Sequence, residues 1–271
     1  VRALCLTSAA VDYALDTQDM PFLNQLVTQW ENTVARRTYL TGGMGSRHED
    51  EAFGEDFELP PDHAYSETCA GVGSVMLAWR LLLATGEPRF ADLVERTLFN
   101  VVATGPDVHG DAFFYANPLQ QRRPGPAASA EVSPRAASGQ RMPWFAVSCC
   151  PTNVARTFAA LGCYVATIDD EGLQIHQYAP ATIDTHLPDG RRLRVRVETA
   201  YPDDGRIGIL VEEDADEPWT LTLRVPAWAV GGAVLVDEDG RYAVEGRLVR
   251  IRRSFRVGDR VVLELPVEPR W

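Results

Sequence analysis

The sequence predicts an α + β protein with two domains, a helical domain over residues 1–168 and an antiparallel β domain over residues 169–271. In the first part, apolar residues recur at three- and four-residue steps, which is the period of an amphipathic helix. From about residue 170 the period changes to two, and turn motifs separate the apolar runs, as is typical of antiparallel strands. The boundary is expected at the segment TIDDEG, residues 167–172.

The helical period defines five segments in the first domain, residues 1–16, 21–37, 68–85, 88–103 and 151–168. Two of these segments repeat each other at an offset of 68 residues, with Phe22, Leu26, Trp30 and Val34 matching Phe90, Val94, Leu98 and Val102. Each follows a short turn, TQDMP or TGEP, so the repeated unit is a helical hairpin. Such repeats bury their apolar faces by stacking into a solenoid or a toroid. The alternative is two unrelated amphipathic helices.

The second domain is punctuated by the turn motifs PDG, PDDG and EDG, which favour β-hairpins. Between the domains, residues 121–141 are rich in Pro, Ala and Ser and are predicted to form a long loop. Loops of this length are uncommon unless they serve a site or are disordered. This one leads directly into the segment WFAVSCCPT.

The composition excludes some classes of partner. The net charge is −12, and all 26 basic residues are arginine. An acidic surface argues against nucleic acid and anionic membranes as partners. No apolar run approaches the ~20 residues of a membrane span. The sequence does not begin with Met and starts inside a helical pattern, so we expect it to be a piece of a longer protein.

Five cysteines, odd in number and irregularly spaced, do not form the pattern of a secreted disulfide framework. They favour a reducing compartment, and we expect a cytoplasmic location. Cys149 and Cys150 are adjacent and precede Pro151 at a predicted helix start, where a thiolate is favoured. Glu67 and Cys69 stand at another helix start. Together these four side chains could bind zinc, or the cysteines could be small buried apolar residues.

Residues 39–69 are predicted to form a loop rich in glycine and acidic side chains between two helices. Most of its carboxylates are expected on a solvated face. Glu51 differs because the apolar segment AFG follows it, and burial there would raise its pKa toward use as a general acid.

Four segments in this order resemble glycoside hydrolase family 127, whose best-known activity is β-L-arabinofuranosidase. They are TGGMGSRHEDEAFGEDFELPPDHAYSETCA, ERTLFNVV, GDAFFYANPL and WFAVSCCPTNVARTFAALG. The combination of EAFG, ELP, ETCA, NPL and CCP in one chain is specific, although no single element is. The resemblance runs from Val1 to about residue 180 and continues more weakly beyond it.

The resemblance implies a role for each matching residue. It implies a zinc ion held by Glu67, Cys69, Cys149 and Cys150. Cys149 would also be the nucleophile of a retaining glycosidase, and Glu51 would be the general acid and then the base. Tyr115 and His48 would be substrate contacts, although His48 could equally be a solvated loop histidine.

For the fold, the resemblance implies the second half of an (α/α)6 helical toroid, followed by an incomplete β-sandwich. The expected substrate is an arabinofuranoside-type carbohydrate, from which L-arabinofuranose or a closely related sugar is released. The alternative is a non-catalytic zinc-stabilised fragment or a carbohydrate-binding relic. A helix at residues 1–16 without its neighbour would expose apolar surface, so a homodimer is a further expectation.

Overall fold

A computed structural model describes residues 1–62, 64–120, 139–145, 147–213 and 217–269. The chain divides into two compact units, Val1–Ala160 and Leu161–Trp271. The predicted long loop over residues 121–141 lies mainly outside the described residues. Mixed helix and sheet, with the helices first, agrees with the predicted fold class at this level.

In its described part, the first unit is built on five helices. They are α1 (Arg2–Asp16), α2 (Met20–Arg37), α3 (Thr68–Thr85), α4 (Pro88–Thr97) and α5 (Cys149–Ala159). Local sequence explains several of the ends. The Asp19 side chain accepts a hydrogen bond from the Phe22 N–H at 3.0 Å and caps α2. Gly86, with φ of 70°, ends α3 in the left-handed conformation that glycine adopts without strain.

The prediction of a repeated helical hairpin is confirmed. Helices α1 and α2 form one hairpin, α3 and α4 form a second, and α1 packs on α3. The rings of Trp30 on α2 and Phe90 on α4 lie 4.6 Å apart between centroids. An ion pair of 2.9 Å joins Arg80 on α3 to Asp12 on α1. The two hairpins therefore pack against each other.

Helix α3 is the central element of this unit, with α1, α4 and α5 packed against it. Its 18 residues have a mean hydropathy of 1.4, so by length and composition it is the one described helix apolar enough to cross a membrane. However, 67% of that stretch is buried within the fold, as expected for a core helix. Its burial fixes the position of its first turn, which carries Glu67 and Cys69.

Two predicted helices end earlier than the sequence indicates. The segment 88–103 changes at Leu98–Val102 to a π-helical turn. The prediction of helix to residue 168 is wrong, because α5 ends at Ala159 and Ala166–Ile168 forms a strand. A short apolar run has no period that separates helix from strand. The sequence-based division after residue 168 therefore lies later in the chain than the division at Ala160.

The second unit contains ten described strands. They are β1 (Ala166–Ile168), β2 (Gly172–Ile175), β3 (Ala181–His186), β4 (Arg192–Thr199), β5 (Arg206–Glu213), β6 (Trp219–Arg224), β7 (Val234–Asp237), β8 (Gly240–Ala243), β9 (Leu248–Arg253) and β10 (Arg260–Glu264). They form a four-stranded sheet in the order β1-β2-β6-β9 and a six-stranded sheet in the order β3-β4-β5-β10-β7-β8. The predicted PDG, PDDG and EDG turns connect β3 to β4, β4 to β5 and β7 to β8, all antiparallel pairs.

Both sheets contribute to one apolar core, so the unit is a β-sandwich. Strand β4 shows why: Leu193, Val195 and Val197 are buried, whereas the arginines between them are exposed. All described pairs are antiparallel except β2 with β6, which is parallel.

We expect the stability of this unit to fall as the pH drops from about 6.5 to about 4. Burial, helped by the nearby Arg224 guanidinium, lowers the pKa of His176 to about 4. Within this window the unfolded chain binds a proton at this histidine and the folded protein does not, so unfolding is favoured, by about 3 kcal/mol at the lower limit. Urea unfolding at several pH values measures this loss.

The variant His176→Gln should lose this part of the pH dependence, and the exposed His186→Gln is the matched control. An unchanged pH slope in His176→Gln would show that carboxylates alone cause the acid destabilisation.

Candidate metal centre and active site

The first half of the site is the segment that starts α3. Glu67 is the N-terminal cap residue, with extended backbone, and Cys69 lies in the first turn. The Thr68 N–H donates to the Tyr115 carbonyl at 2.9 Å, and the Thr68 hydroxyl donates to the next carbonyl upstream at 2.7 Å. Asn117 donates its side-chain amide to the Thr68 hydroxyl oxygen at 3.0 Å. These bonds hold the ETC segment against the FFYAN segment.

A glycine loop supports the same segment from the other side. A side chain at Gly43 would place its Cβ 1.9 Å from the Ser66 hydroxyl oxygen, which is far inside van der Waals contact. A larger residue at this position would therefore displace the buried Ser66 side chain, so glycine suits the close approach of the TGGMG loop to the residue before Glu67.

The second half of the site is the start of α5. Cys149 and Cys150 are its first two residues, so the helix begins before Pro151. Consecutive helical residues are turned by about 100° from each other. As a result, Cys150 is fully buried, whereas Cys149 is the most accessible member of the site. The two adjacent cysteines can thus face the same cluster while only Cys149 is accessible to solvent.

The structure brings together the four side chains singled out in the sequence. The donor atoms of Glu67, Cys69, Cys149 and Cys150 all lie within 4.8 Å of one another. Cys69 Sγ lies 3.1 Å from Cys149 Sγ and 3.5 Å from Cys150 Sγ. A disulfide requires about 2.05 Å, and all five cysteines are free. Such a group of three sulfurs and one carboxylate can hold a metal ion.

The four side chains of the cluster differ in their pKa shifts. The contact with Cys150 lowers the pKa of Cys69, and the same contact raises the pKa of Cys150. Burial raises the pKa of Cys149 to about 11. Burial and the Glu51 carboxylate raise the pKa of Glu67. Four negative charges therefore cannot coexist here without a cation, and metal binding would release protons.

Glu67 supplies a further indication of a missing partner. Its Oε2 atom is buried and has no hydrogen-bond partner among the described residues. Buried polar atoms are nearly always paired, so an orphaned carboxylate oxygen beside three thiols calls for a ligand. The site residues thus fit a bound metal ion.

Glu51 lies beside this cluster in a strained turn. Asp50 and Glu51 have φ of 57° and 53°, in the left-handed region that non-glycine residues seldom adopt. Glu51 lines one cleft with Glu67 and Tyr65, and its Oε2 lies 4.0 Å from Nη1 of Arg2. Backbone strain of this kind persists where the surrounding structure enforces it, often at functional sites.

Tyr115 and His48 occupy different positions around the cluster. The Tyr115 hydroxyl lies 3.4 Å from Cys149 Sγ, and its side chain is buried. Burial, and then its contact with Cys149, raises the pKa of Tyr115, so the hydroxyl stays protonated. The His48 ring packs edge-on against Tyr65 with centroids 5.1 Å apart.

Two residues of the site were not identified from the sequence. Tyr65 is buried between Tyr115 and His48, and burial with the nearby Glu67 and Glu51 carboxylates raises its pKa. Asn153 donates its side-chain amide to Cys69 Sγ at 3.0 Å. Helical spacing could have indicated Asn153, because it lies one turn after the two cysteines.

Comparison with known proteins identifies the family. The family model described as "Beta-L-arabinofuranosidase, GH127 catalytic domain" matches residues 1–163. The chain belongs to glycoside hydrolase family 127. A second model, the GH127 middle domain, matches residues 172–267, which contain most of the β-sandwich.

Relatives in family 127 share both sequence and fold. A curated non-reducing end β-L-arabinofuranosidase from Bifidobacterium longum is 33% identical over 240 residues, covering 87% of this chain and 35% of its own. A GH127 β-L-arabinofuranosidase from Geobacillus stearothermophilus T6 is 35% identical, with a TM-score of 0.88 over 98% of this chain and 42% of that one. A GH127 β-arabinofuranosidase is 29% identical, with a TM-score of 0.86 over 97% of this chain and 42% of that one.

The chain thus spans about a third of the length of the curated relative and less than half of each solved structure. The similarity covers both units described above.

Proposed function

We propose that this chain carries the bond-cleaving residues of a retaining glycoside hydrolase that releases L-arabinofuranose from β-L-arabinofuranosides. The observation that carries the proposal is the cluster of Glu67, Cys69, Cys149 and Cys150, with one accessible thiol and Glu51 on the adjoining cleft. Membership of family 127 and the activity named for the Bifidobacterium relative support the substrate class.

We propose zinc as the metal of this cluster. Three sulfurs and one oxygen match the ligands of tetrahedral zinc, and thiolates select it over magnesium and calcium. When bound, zinc would keep the Cys149 sulfur deprotonated and make it a better leaving group. Cys149 also lies in the first turn of α5, where the helix dipole favours a negative charge on its sulfur.

Cys149 acts as the nucleophile in the first step. Its sulfur attacks the anomeric carbon of the sugar, forming a C–S bond while the C–O bond to the aglycone breaks. Glu51 gives its proton to the departing oxygen, which leaves as an alcohol. Among the three clustered thiols, Cys149 has the access to solvent that a substrate needs.

Glu51 acts as a base in the second step. It takes a proton from a water molecule, whose oxygen attacks the same carbon while the C–S bond breaks and Cys149 leaves as a thiolate. Two displacements at one carbon retain its configuration. The Tyr115 hydroxyl, 3.4 Å from Cys149 Sγ, can donate a hydrogen bond that orients the sulfur. Tyr115 and His48 also remain proposed substrate contacts.

We also propose that the helical unit is the second half of an (α/α)6 toroid. The stacking of two helical hairpins through α1 and α3 supports this arrangement. So does the exposed side of α1, where Leu6 and Tyr13 are 74% and 61% accessible in this chain.

Metal content tests the proposed site directly. Purified, reduced protein should contain about one zinc per chain, with Zn–S distances of about 2.3 Å by X-ray absorption. Cys69→Ala should lose the metal, because it removes a sulfur that contacts both other thiols. Elemental analysis measures the zinc content.

The matched controls are Cys5→Ala and Cys163→Ala, since both cysteines are exposed and lie outside the cluster. Folded wild-type protein without zinc, or equal zinc in Cys69→Ala, would refute the metal site.

A further inference from the structure

Asn153 connects the two halves of the cluster. Its side-chain Nδ2 lies 3.0 Å from Cys69 Sγ, so an amide on α5 reaches the sulfur at the start of α3. The nitrogen of a side-chain amide donates hydrogen bonds and does not accept them, so Asn153 is the donor and Cys69 the acceptor. A hydrogen bond of this length restrains the position of the Cys69 sulfur relative to α5.

The backbone of α5 fixes the direction of this bond. Asn153 lies three and four residues after Cys150 and Cys149, so all three side chains share one side of the first turns. The Thr157 hydroxyl donates to the Asn153 carbonyl at 2.7 Å, within the same helix. Asparagine is a poorer helix former than alanine, so its place inside a helix is better explained by its side-chain contact than by helix stability.

We propose that Asn153 is a positioning residue of the metal centre, whose amide N–H holds the Cys69 sulfur in place as a ligand. This inference rests on the proposed metal site and adds a residue outside its ligand set. Cys69 Sγ contacts two other sulfurs at 3.1 and 3.5 Å, and three thiolates at such distances repel one another. A neutral donor on Cys69 offsets part of that repulsion without competing for the metal.

Two variants separate hydrogen bonding from packing. Asn153→Ala removes the whole amide, whereas Asn153→Asp keeps the shape but replaces the donor with a charged acceptor. Outer-sphere partners of metal ligands typically contribute 10- to 100-fold to affinity. We therefore expect zinc to bind about 10- to 100-fold more weakly to Asn153→Ala, and at least as weakly to Asn153→Asp.

Asn24→Ala is the matched control. Asn24 is an exposed asparagine of α2, and like Asn153 it accepts a backbone hydrogen bond from a threonine four residues later, Thr28, at 3.0 Å. Competition with a chromophoric chelator measures zinc affinity in the whole chain, and circular dichroism verifies the helices. In the cobalt-substituted protein, the sulfur-to-cobalt charge-transfer band should shift in both Asn153 variants and not in Asn24→Ala.

The possible results separate a failure of the positioning role of Asn153 from a failure of the proposed metal site. Wild-type affinity in Asn153→Asp would overturn the positioning role even if Asn153→Ala does not fold, because the isostere preserves packing. Wild-type affinity in both variants would overturn it while leaving the metal site intact. Absence of zinc from the wild-type protein would overturn both.

Discussion

Replacing Cys149 with serine should abolish hydrolysis of arabinofuranosides, with a loss of about 10⁴-fold or more in kcat. A serine hydroxyl has almost the same size but does not ionise as a thiol does, so it cannot attack the anomeric carbon or leave it again. Steady-state kinetics on catalytically active protein measures the loss. Because the other donors of the cluster remain, zinc content should fall much less than activity.

Cys163→Ser is the control, since Cys163 is an exposed thiol in the other unit.

The stereochemistry of the first product is a second test. NMR spectra recorded early in the reaction should show the sugar with retained configuration. Cys149 first displaces the aglycone at the anomeric carbon, and water then displaces Cys149. An inverted anomer would exclude covalent attack by Cys149, whatever the kinetic effect of the substitution.

Replacing Glu51 with glutamine should reduce kcat by about 10²- to 10⁴-fold for substrates with poor leaving groups. Aryl arabinofuranosides with acidic phenols should be affected far less, since their leaving oxygen needs no proton. Glutamine has the same length as glutamate, and it fits the left-handed backbone at position 51 equally well. Comparing a series of aglycones of increasing pKa measures the effect.

Glu49→Gln is the matched control, because Glu49 lies two residues before Glu51 in the same turn and is exposed. Zinc should remain bound in both variants. Equal losses for activated and unactivated aglycones would exclude Glu51 as the proton donor.

The ends of a helix were predictable where a capping or terminating residue lies at the end of its run of periodic apolar residues. Helix α3 has the predicted bounds, residues 68 to 85, because its run of apolar residues ends at a glycine. Helix α5 does not, since the chain after Ala159 changes from helix to strand within one apolar run. Pairing with β2, a tertiary contact, decides that Ala166–Ile168 is a strand.

The four candidate metal donors were predictable because their residue types and their places at two helix starts already suit a metal. Their distances were not, because the packing of α5 on α3 determines them. The same packing brings Asn153 to Cys69. The left-handed backbone of Asp50 and Glu51 has no signature in the sequence, since glycine is the usual residue for that conformation.

The two pairs of candidate ligands lie on different helices, with Cys69 and Cys149 separated by 80 residues of chain. An unfolded chain holds no such group of donors, so the proposed metal ion would bind the folded unit in preference. Its binding free energy would then add to the free energy of folding: a free metal concentration 100 times the Kd would add about 2.7 kcal/mol. Catalytic competence and resistance to unfolding of the helical unit would then depend on the same metal supply. A cell that withholds the metal would lose the activity and expose this unit to proteolysis together.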